Sequence, residues 1–200
     1  MASIVIPFRG TGPKRRLGLE EPARATLAHA MLADVLACSS AVGRVAVVTD
    51  DVAAARLAWA AAADVLADPG RGQGPAVAAG LALTADEPTL VVNADVPCAT
   101  AADMLRLLEA TPARGIAVVA AADGTTNALG LSHADVFASL YGAGSAARFV
   151  EHVRRLGLDA VAPAIPGLAD DVDTRQDLAR VAGRVGPHTL AAVASLGLAA

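Results

Sequence analysis

Acidic residues placed just after a buried strand are the first candidates for chemistry. Asp95 follows the apolar run Thr89–Asn93 by two residues. An ionised carboxylate at the end of a buried strand needs a partner, because an unpaired buried charge is costly. A Mg²⁺ ion is one such partner, since it takes one or two carboxylates together with substrate phosphates. The alternative is that Asp95 caps the next helix, a role that Thr100 could also fill.

A second acidic segment, Asp171-Val172-Asp173, lies near the end of the chain. If the segment is extended, its carboxylates alternate in direction, and Asp173 could then face the same ion as Asp95. The competing interpretation is that the segment caps a helix and that Asp170 and Asp171 form a solvated pair.

Glycines and cations follow the first apolar run. Gly10 and Gly12 would let the backbone approach phosphate oxygens closely, and Lys14 and Arg16 would neutralise those oxygens. Lys14 is the single lysine among the 16 basic residues. The spacing fits neither a Walker loop nor a dinucleotide fingerprint, so a solvated basic turn is the alternative.

A second glycine-rich segment precedes a predicted helix. Gly72 and Gly74 flank Gln73, and glycines at this place could cradle a base or a phosphate at the helix N-terminus. The Gln73 amide could then read the edge of a base. A flexible connection is the alternative interpretation.

No group suited to covalent catalysis accompanies these loops. Cys98 follows a proline and has no base beside it, which indicates a small core residue rather than a nucleophile. The histidines show no metal-ligand spacing; they are His29, His133, His152 and His188. Sites for phosphates, separated carboxylates and no nucleophile together favour phosphoryl or nucleotidyl transfer, which depends on positioning and charge neutralisation.

Apolar runs alternate with helical patterns over the first 120 residues. The runs are continuous, which is typical of strands covered on both faces. They are Ser3–Phe8, Arg44–Thr49, Asp64–Ala67, Thr89–Asn93 and Gly115–Ala120. Helical spacing occurs at Glu21–Ala37, Ala53–Ala62, Pro75–Thr84 and Ala101–Glu109. This alternation predicts crossover connections and a mostly parallel sheet with helices on both faces.

The pattern changes after Ala120. Turn chemistry at Asp123–Asn127 precedes a short apolar run, and a Tyr-Gly segment leads into a helix. We expect the apolar face of that helix to hold Phe149, Val150, Val153 and Leu156. The remaining expectations are a strand over Asp159–Ile165, a helix over Arg175–Val181 capped by Asp173 or Thr174, a last helix beginning near Pro187, and a packing role for Trp59.

Composition excludes several classes of protein. With 200 residues, 54% of them hydrophobic and 18% charged, the chain suits one ordinary domain with a sizeable core rather than a disordered segment. A net charge of −4 argues against a generic nucleic-acid binder, because phosphate backbones require a basic face. The apolar runs are too short to span a membrane, and no signal peptide is recognisable. We therefore expect a cytoplasmic protein, with residues 1–200 forming a single α/β domain around a mostly parallel twisted sheet.

Five segments occur in a characteristic order along the chain. They are Gly10–Leu17, Gly72–Gly80, Asn93–Pro97, Asp123–Leu129 together with Tyr141–Ser145, and Asp171–Leu178. In this order the chain resembles, over nearly its whole length, the small guanylyltransferases of coenzyme F420 biosynthesis. These belong to the MobA-like nucleotidyltransferases, whose sheet is glycosyltransferase-A-like.

The resemblance implies a transfer of GMP from GTP to the phosphate of phosphoenolpyruvate or 2-phospho-L-lactate, with Mg²⁺ as cofactor and pyrophosphate as the second product. It implies that Asp95 and Asp173 hold Mg²⁺ and that Lys14 acts with them in catalysis. GTP would contact Gly10, Gly12, Lys14, Arg16, Gly72, Gln73, Gly74 and Asn93, and the acceptor would contact Thr125, Thr126, Asn127, Gly142 and Ser145. The alanine- and arginine-rich composition suggests a GC-rich bacterium, in which phosphoenolpyruvate would be the usual acceptor.

The chain also departs from the family pattern. The family usually has an Ala-Lys-Ser-Arg-Leu-like stretch where this chain has Pro13–Leu17, and often a histidine where it has Phe149. A nucleotidyltransferase for a molybdopterin cofactor would share the Asp95 segment, and a non-catalytic nucleotide-binding regulatory protein could share the whole fold. The alanine-rich helices can pack within a chain or between chains, so a homo-oligomer is also compatible with the sequence.

Overall fold

The computed structural model describes residues 2–10, 17–84 and 87–198. Seven strands in these ranges form one sheet. The strands are β1 (Ala2–Pro7), β2 (Gly43–Val48), β3 (Asp64–Leu66), β4 (Thr89–Val92), β5 (Gly115–Ala120), β6 (Thr126–Leu131) and β7 (Asp159–Val161). The helices are α1 (Glu21–Ser40), α2 (Val52–Ala60), α3 (Gln73–Leu81), α4 (Ala101–Ala110), α5 (Ser145–Arg155), α6 (Pro166–Ala169), α7 (Arg175–Val181) and α8 (Pro187–Ser195). None of the described helices is both long enough and apolar enough to cross a membrane.

The sheet is mostly parallel, as predicted. Its order is β3-β2-β1-β4-β6-β5-β7. Strand β1 runs parallel to β2 and β4, β2 runs parallel to β3, and β5 runs parallel to β7. Strand β6 is antiparallel to both of its neighbours, β4 and β5. The carboxyl ends of β1 and β4 and the amino end of β6 therefore lie at one edge of the sheet, which we call the upper edge.

Helices cover both faces of this sheet, which explains why its strands are continuous apolar runs. All six residues of β1 are buried. Ile4 and Ile6 pack in a cluster with residues of α1, α2 and α4, whereas Val5 packs on the opposite face with residues of α3 and α5. Because each fully buried aliphatic side chain contributes about 1.5–3 kcal/mol, two-sided burial favours an apolar residue at every position of such a strand.

A third apolar cluster joins α1 to the end of the chain. Leu27 and Met31 of α1 pack with Val172, which precedes α7, and with residues of α7 and α8. The buried Asp34 carboxylate on α1 accepts hydrogen bonds from two backbone N–H groups at the start of α8, at 3.0 and 2.8 Å. These contacts fix the acidic segment around Val172 against the body of the protein.

Several local predictions were wrong. The last strand ends at Val161 rather than Ile165, and the unpredicted α6 begins at Pro166. Pro163 cannot donate a ladder hydrogen bond, which explains why the strand does not continue through it. Thr126 and Asn127, which we had placed in a turn, are the first two residues of β6.

Two apolar side chains that we expected to pack inward are exposed. Helix α2 buries Ala54 and Ala58, four residues apart on one face, which turns Trp59 outward and leaves it 62% exposed. Leu156 lies just beyond the last turn of α5 and is 54% exposed. Phe149 and Val153, by contrast, are buried as predicted.

Candidate active site

A cavity of about 270 Å³ opens at the upper edge of the sheet. Residues that follow β1 and β4, the first residues of β6 and two later segments line it. The predicted site residues among its lining are Gly10, Gln73, Asn93, Asp95, Thr125, Thr126, Asn127, Gly142, Ser145 and Asp173. One edge of the sheet therefore collects predicted site residues from six separate parts of the sequence, as expected for loops at strand ends.

The remaining predicted residues fall into two groups. Gly72 and Gly74 adjoin Gln73 at the start of α3 but are not among the described residues that line the cavity. Gly12, Lys14 and Arg16 lie outside the described residues, so their expected phosphate contacts stay a prediction.

Three carboxylates reach the cavity from two adjacent loops. Asp95 follows β4, and Asp171 and Asp173 precede α7. The Val172 N–H donates to the Asp95 carbonyl oxygen at 3.0 Å, which holds the two loops side by side. The Val172 side chain is buried in the third apolar cluster. Asp171 and Asp173, one residue to either side, both line the cavity.

The charges of these carboxylates affect one another. Burial raises the pKa of Asp171, and the negative charge of Asp95 and then that of Asp173 raise it too, against the hydrogen bond from Asn127 that lowers it. Like charges this close make an ionised site unfavourable unless a cation joins it. Hard carboxylate oxygens are the donors that Mg²⁺ prefers.

A cation in this cavity would need further ligands. In the described part of the chain, no group of three or more histidine, cysteine or acidic side chains is arranged to hold a metal ion by itself. Oxygens of a bound substrate would therefore have to complete its coordination, which is how Mg²⁺ is usually held in phosphate-binding sites.

Helix capping does not explain the acidic residues. Thr100 caps α4 and Thr174 caps α7, each in a capping box with an aspartate three residues later. A threonine is thus the N-cap of each helix. Both threonines were candidate caps in the sequence analysis. The carboxylates of Asp95 and Asp173 belong to neither box, although the Asp173 N–H donates to the Asp177 carboxylate at 3.3 Å.

Hydroxyl groups form part of one wall of the cavity. The Oγ1 of Thr126 and the Oγ of Ser145 are 2.8 Å apart and share one hydrogen bond. Ser145 is the first residue of α5, and the Ala146 N–H donates to the carbonyl of Gly124, in the turn before β6, at 3.3 Å. This bond fixes the start of α5 beside the start of β6. Since only one of the two hydroxyl protons is used between Thr126 and Ser145, the other can be donated to a ligand.

Two predicted residues of the same wall already use their donors within the protein. The Thr125 hydroxyl donates to the Asp123 carboxylate at 2.6 Å. The Asn127 Nδ2 donates to the Ala169 carbonyl at 3.0 Å and to Asp171 Oδ1 at 3.3 Å. Both side chains line the cavity, but their hydrogen bonds shape its walls, and in particular Asn127 holds the loop of Asp171.

Gln73 and Asn93 form a connected pair of amides. Asn93 Nδ2 donates to the Thr126 carbonyl at 3.1 Å, and Gln73 Nε2 donates to Asn93 Oδ1 at 2.6 Å. Because a carbonyl can only accept, it orients the Asn93 amide, and Asn93 in turn orients the Gln73 amide. The Gln73 Oε1 is then the acceptor atom that this pair can offer to a ligand.

The chain matches a known protein family over most of its length. A family model described as "Guanylyl transferase CofC like" matches residues 2–185. The chain belongs to this family.

Curated relatives of the chain are guanylyltransferases with different acceptors. A phosphoenolpyruvate guanylyltransferase from Geodermatophilus obscurus is 36% identical over 94% of this chain and 92% of its own length. A 2-phospho-L-lactate guanylyltransferase from Natrialba magadii is 34% identical over 89% and 82%. A 3-phospho-D-glycerate guanylyltransferase from Phenylobacterium zucineum is 33% identical over 98% and 97%.

Solved structures support the fold of this CofC-like guanylyl transferase. A crystal structure from Desulfovibrio desulfuricans G20, titled as a nucleotide-diphospho-sugar transferase, superposes with a TM-score of 0.78. It covers 98% of this chain and 96% of its own, at 19% sequence identity. The predicted glycosyltransferase-A-like class is therefore confirmed, and the family makes the chain a nucleotidyltransferase.

Three polar lining residues were not among the predicted site residues. The carboxylates of Asp171 and Asp173 were expected to alternate in direction, and a solvated pair of Asp170 and Asp171 was the competing interpretation. Residues two apart in an extended segment share a face, so the period alone could have placed Asp171 beside Asp173. Arg9 lines the cavity and pairs with Asp68, at 3.4 Å between Nε and Oδ2. Tyr141 lies in the Tyr-Gly segment, where its ring packs edge-on against Phe149 at 5.4 Å between centroids.

Proposed function

We propose that this protein transfers GMP from GTP to the phosphate of a small phosphorylated carboxylic acid, with Mg²⁺ as cofactor. One observation carries the proposal: three carboxylates and a buried pair of hydroxyls line a single cavity. The three curated relatives named above act on different acids, each with one carboxylate and one phosphate. We place phosphoenolpyruvate first among the acceptors. A cytoplasmic location is part of the same proposal.

Asp95 and Asp173 would hold the metal. Asp171 lies close enough to both for the positive charge of the metal to stabilise its carboxylate as well. Bound Mg²⁺ would neutralise phosphate oxygens and the charge of the departing pyrophosphate. Without a cation, a triphosphate could not approach three carboxylates, because all the charges have the same sign. Burial raises the pKa of Asp171, and so does repulsion from Asp95 and Asp173; that repulsion supports a role of the three carboxylates in binding a cation.

The nucleotide would occupy the side of the cavity next to α3. Guanine carries hydrogen-bond donors at N1 and N2, whereas adenine has an acceptor at N1. We propose that the acceptor atom Gln73 Oε1, fixed by the Asn93 amide, takes a proton from the N1 and N2 edge of guanine. We propose that the triphosphate lies towards Gly10, with Lys14 and Arg16 as its cationic partners.

The acceptor would occupy the side next to α5. The positive end of that helix's dipole and the free hydroxyl proton of the Thr126 and Ser145 pair both favour an anion. Gly142 lines the same side. The acceptor phosphate is already ionised, so no general base is required. Histidine, cysteine and lysine are all absent from the described lining of the cavity.

In the proposed reaction, an oxygen of the acceptor phosphate attacks the α-phosphorus of GTP in line with the departing group. The new P–O bond joins GMP to the acceptor, and the bond between the α- and β-phosphates breaks to release pyrophosphate. The protein contributes by holding the two anions end to end and by excluding other nucleophiles.

The test is pyrophosphate release from GTP and Mg²⁺ with phosphoenolpyruvate, 2-phospho-L-lactate or 3-phospho-D-glycerate as acceptor. Asp95→Asn and Asp173→Asn should each lower the rate by at least about 100-fold, since losing one preorganised charge at a transition state costs about that much. Asp159→Asn, at an exposed position of β7, is the matched control and should keep wild-type activity. The melting temperature should not fall in either active-site variant, because neither carboxylate caps a helix. Release of no pyrophosphate with any of the three acids would refute the proposed function.

A further inference from the structure

The loop before α5 is held by a single arginine side chain. We call residues 139–144 the Tyr-Gly loop. Arg148, in the first turns of α5, folds back over this loop and donates to three of its backbone carbonyls. Its Nη1 donates to Ala143 at 2.5 Å, and its Nη2 donates to Leu140 at 2.7 Å and to Tyr141 at 3.2 Å. These carbonyls flank Gly142, which lines the cavity.

The backbone of the Tyr-Gly loop needs such support. Gly142 has φ of +112° and Gly144 has φ of +66°, both in the region that favours glycine. A glycine can adopt many backbone conformations, so contacts with other groups are needed to keep the loop in this one. Inside the loop, the Ser145 N–H donates to the Gly142 carbonyl at 3.0 Å. The Tyr141 ring adds an apolar anchor against Phe149.

Arg148 serves this loop from behind the cavity. Its side chain is exposed and is not part of the described cavity lining. Among the ion pairs of the described residues, none includes Arg148. Its three acceptors are neutral carbonyls in a fixed arrangement, which suits the planar fork of a guanidinium and not the point charge of a lysine.

We propose that Arg148 is a positioning residue for the acceptor half of the site. It holds the Tyr-Gly loop in the conformation that presents Gly142 and the start of α5 to the cavity. This inference rests on the proposed function, because it assigns the acceptor to that side of the cavity. Arg148 donates no hydrogen bond to the described residues of the nucleotide side, where Gln73 and Asn93 are held by their own hydrogen bonds. The Tyr-Gly loop reaches that side through Ser139, which lies against Gly74.

Steady-state kinetics with Arg148→Gln and Arg148→Lys test this role. Both variants should raise the KM for phosphoenolpyruvate by about tenfold, which corresponds to about 1.4 kcal/mol. The KM for GTP should stay within twofold of wild type, and the melting temperature should be nearly unchanged. Arg155→Gln is the matched control, since Arg155 is exposed on the same helix and pairs only loosely with Glu151, at 3.9 Å.

Two kinetic results would overturn the inference. One is an equal rise in both KM values, because Arg148 holds the carbonyls beside Gly142 and reaches the nucleotide side only through Ser139, so its loss should weaken acceptor binding more than GTP binding. The other is full recovery of the phosphoenolpyruvate KM in Arg148→Lys, because charge and not loop geometry would then be sufficient.

Hydrogen exchange supplies a readout that does not depend on turnover. Amides of residues 140–145 should exchange faster in Arg148→Gln than in wild type or Arg155→Gln. Unchanged exchange would overturn the inference whatever the kinetics show. If wild type transfers GMP to none of the acceptors while exchange rises in the variant, the proposed function is wrong but the positioning of the loop by Arg148 is supported.

Discussion

Gly74 can be a glycine for two different reasons, and a double-mutant cycle separates them. Its place in a glycine-rich segment suggests that a nucleotide approaches its backbone. In the structure, however, a Cβ at this position would meet Ser139 of the Tyr-Gly loop. The first explanation concerns GTP binding, and the second concerns the packing of α3 against the loop on the acceptor side.

The geometry sets the expected cost of Gly74→Ala. The added Cβ would lie 1.6 Å from Ser139 Oγ and 2.7 Å from Ser139 Cβ. Rotation of the hydroxyl removes the first overlap, but the second is 0.7 Å shorter than an ordinary contact of 3.4 Å, so the backbone must move. Overpacking of this kind costs about 1–3 kcal/mol. Gly74→Ala/Ser139→Gly removes the two nearest atoms and leaves Ser139 Cα at 3.1 Å, so most of that cost should disappear.

Urea unfolding of wild type, the two single variants and the double variant measures the coupling between the sites. We expect a favourable coupling free energy of about 1–2 kcal/mol, well above the deviation of independent sites. The KM for GTP should be normal in the double variant, because packing alone requires the glycine. Gly183→Ala is the control, since a Cβ there meets open space. Additive single-variant effects, or a GTP KM that stays raised in the double variant, would refute the packing explanation.

Two further predictions concern stability. Burial alone raises the pKa of Asp51, but hydrogen bonds from the Ala54 N–H and from His29 outweigh it and lower the pKa below its ordinary value. The stability that this carboxylate adds is present above the ordinary pKa of an aspartate and is lost as pH falls through the lower folded-state pKa. Asp51→Asn should therefore be less stable than wild type in urea at pH 6, and the difference should shrink as the solution is acidified; a difference that stays constant down to acid pH would contradict this. Asp34→Ala removes the acceptor of two N–H groups at the start of α8. It should lower the free energy of unfolding in urea by about 3 kcal/mol, since one hydrogen bond to a charged group contributes about 1.5–3 kcal/mol. An unchanged urea midpoint would mean that α8 is held by its apolar contacts alone.

The sequence predicted those parts of the fold that depend on local pattern. Two-sided burial appears as continuous apolar runs, so β1, β2, β4 and β5 were located to within a residue or two. Exposure of a single side chain was harder to predict, because it depends on which stripe of a helix faces the sheet. In α2 that stripe consists of alanines, whose small side chains give a weak signal, and Trp59 was misplaced for this reason.

The site was predictable where residues follow strands and not where loops meet in space. Asp95 could be placed at the upper edge because it follows β4, and parallel strands bring their carboxyl ends together. Arg148 offered no such signal, since its acceptors are backbone carbonyls that any sequence possesses. The contact between Gly74 and Ser139 joins segments 65 residues apart, and no periodicity connects them.

Strand β6 shows why chain direction matters to this site. It follows β5 through a turn at Asp123 and Gly124. Asp-Gly is typical of the short turns that join two antiparallel strands. Because β6 runs against β4, the Asn93 N–H donates to the Asn127 carbonyl at 2.9 Å, and the first residues of β6 lie beside the loop of Asp95. A parallel β6 of the same six residues would place Thr126 at the opposite edge, about 20 Å away. The reversed strand therefore brings the hydroxyls proposed to bind the acceptor to the carboxylates proposed to bind the metal.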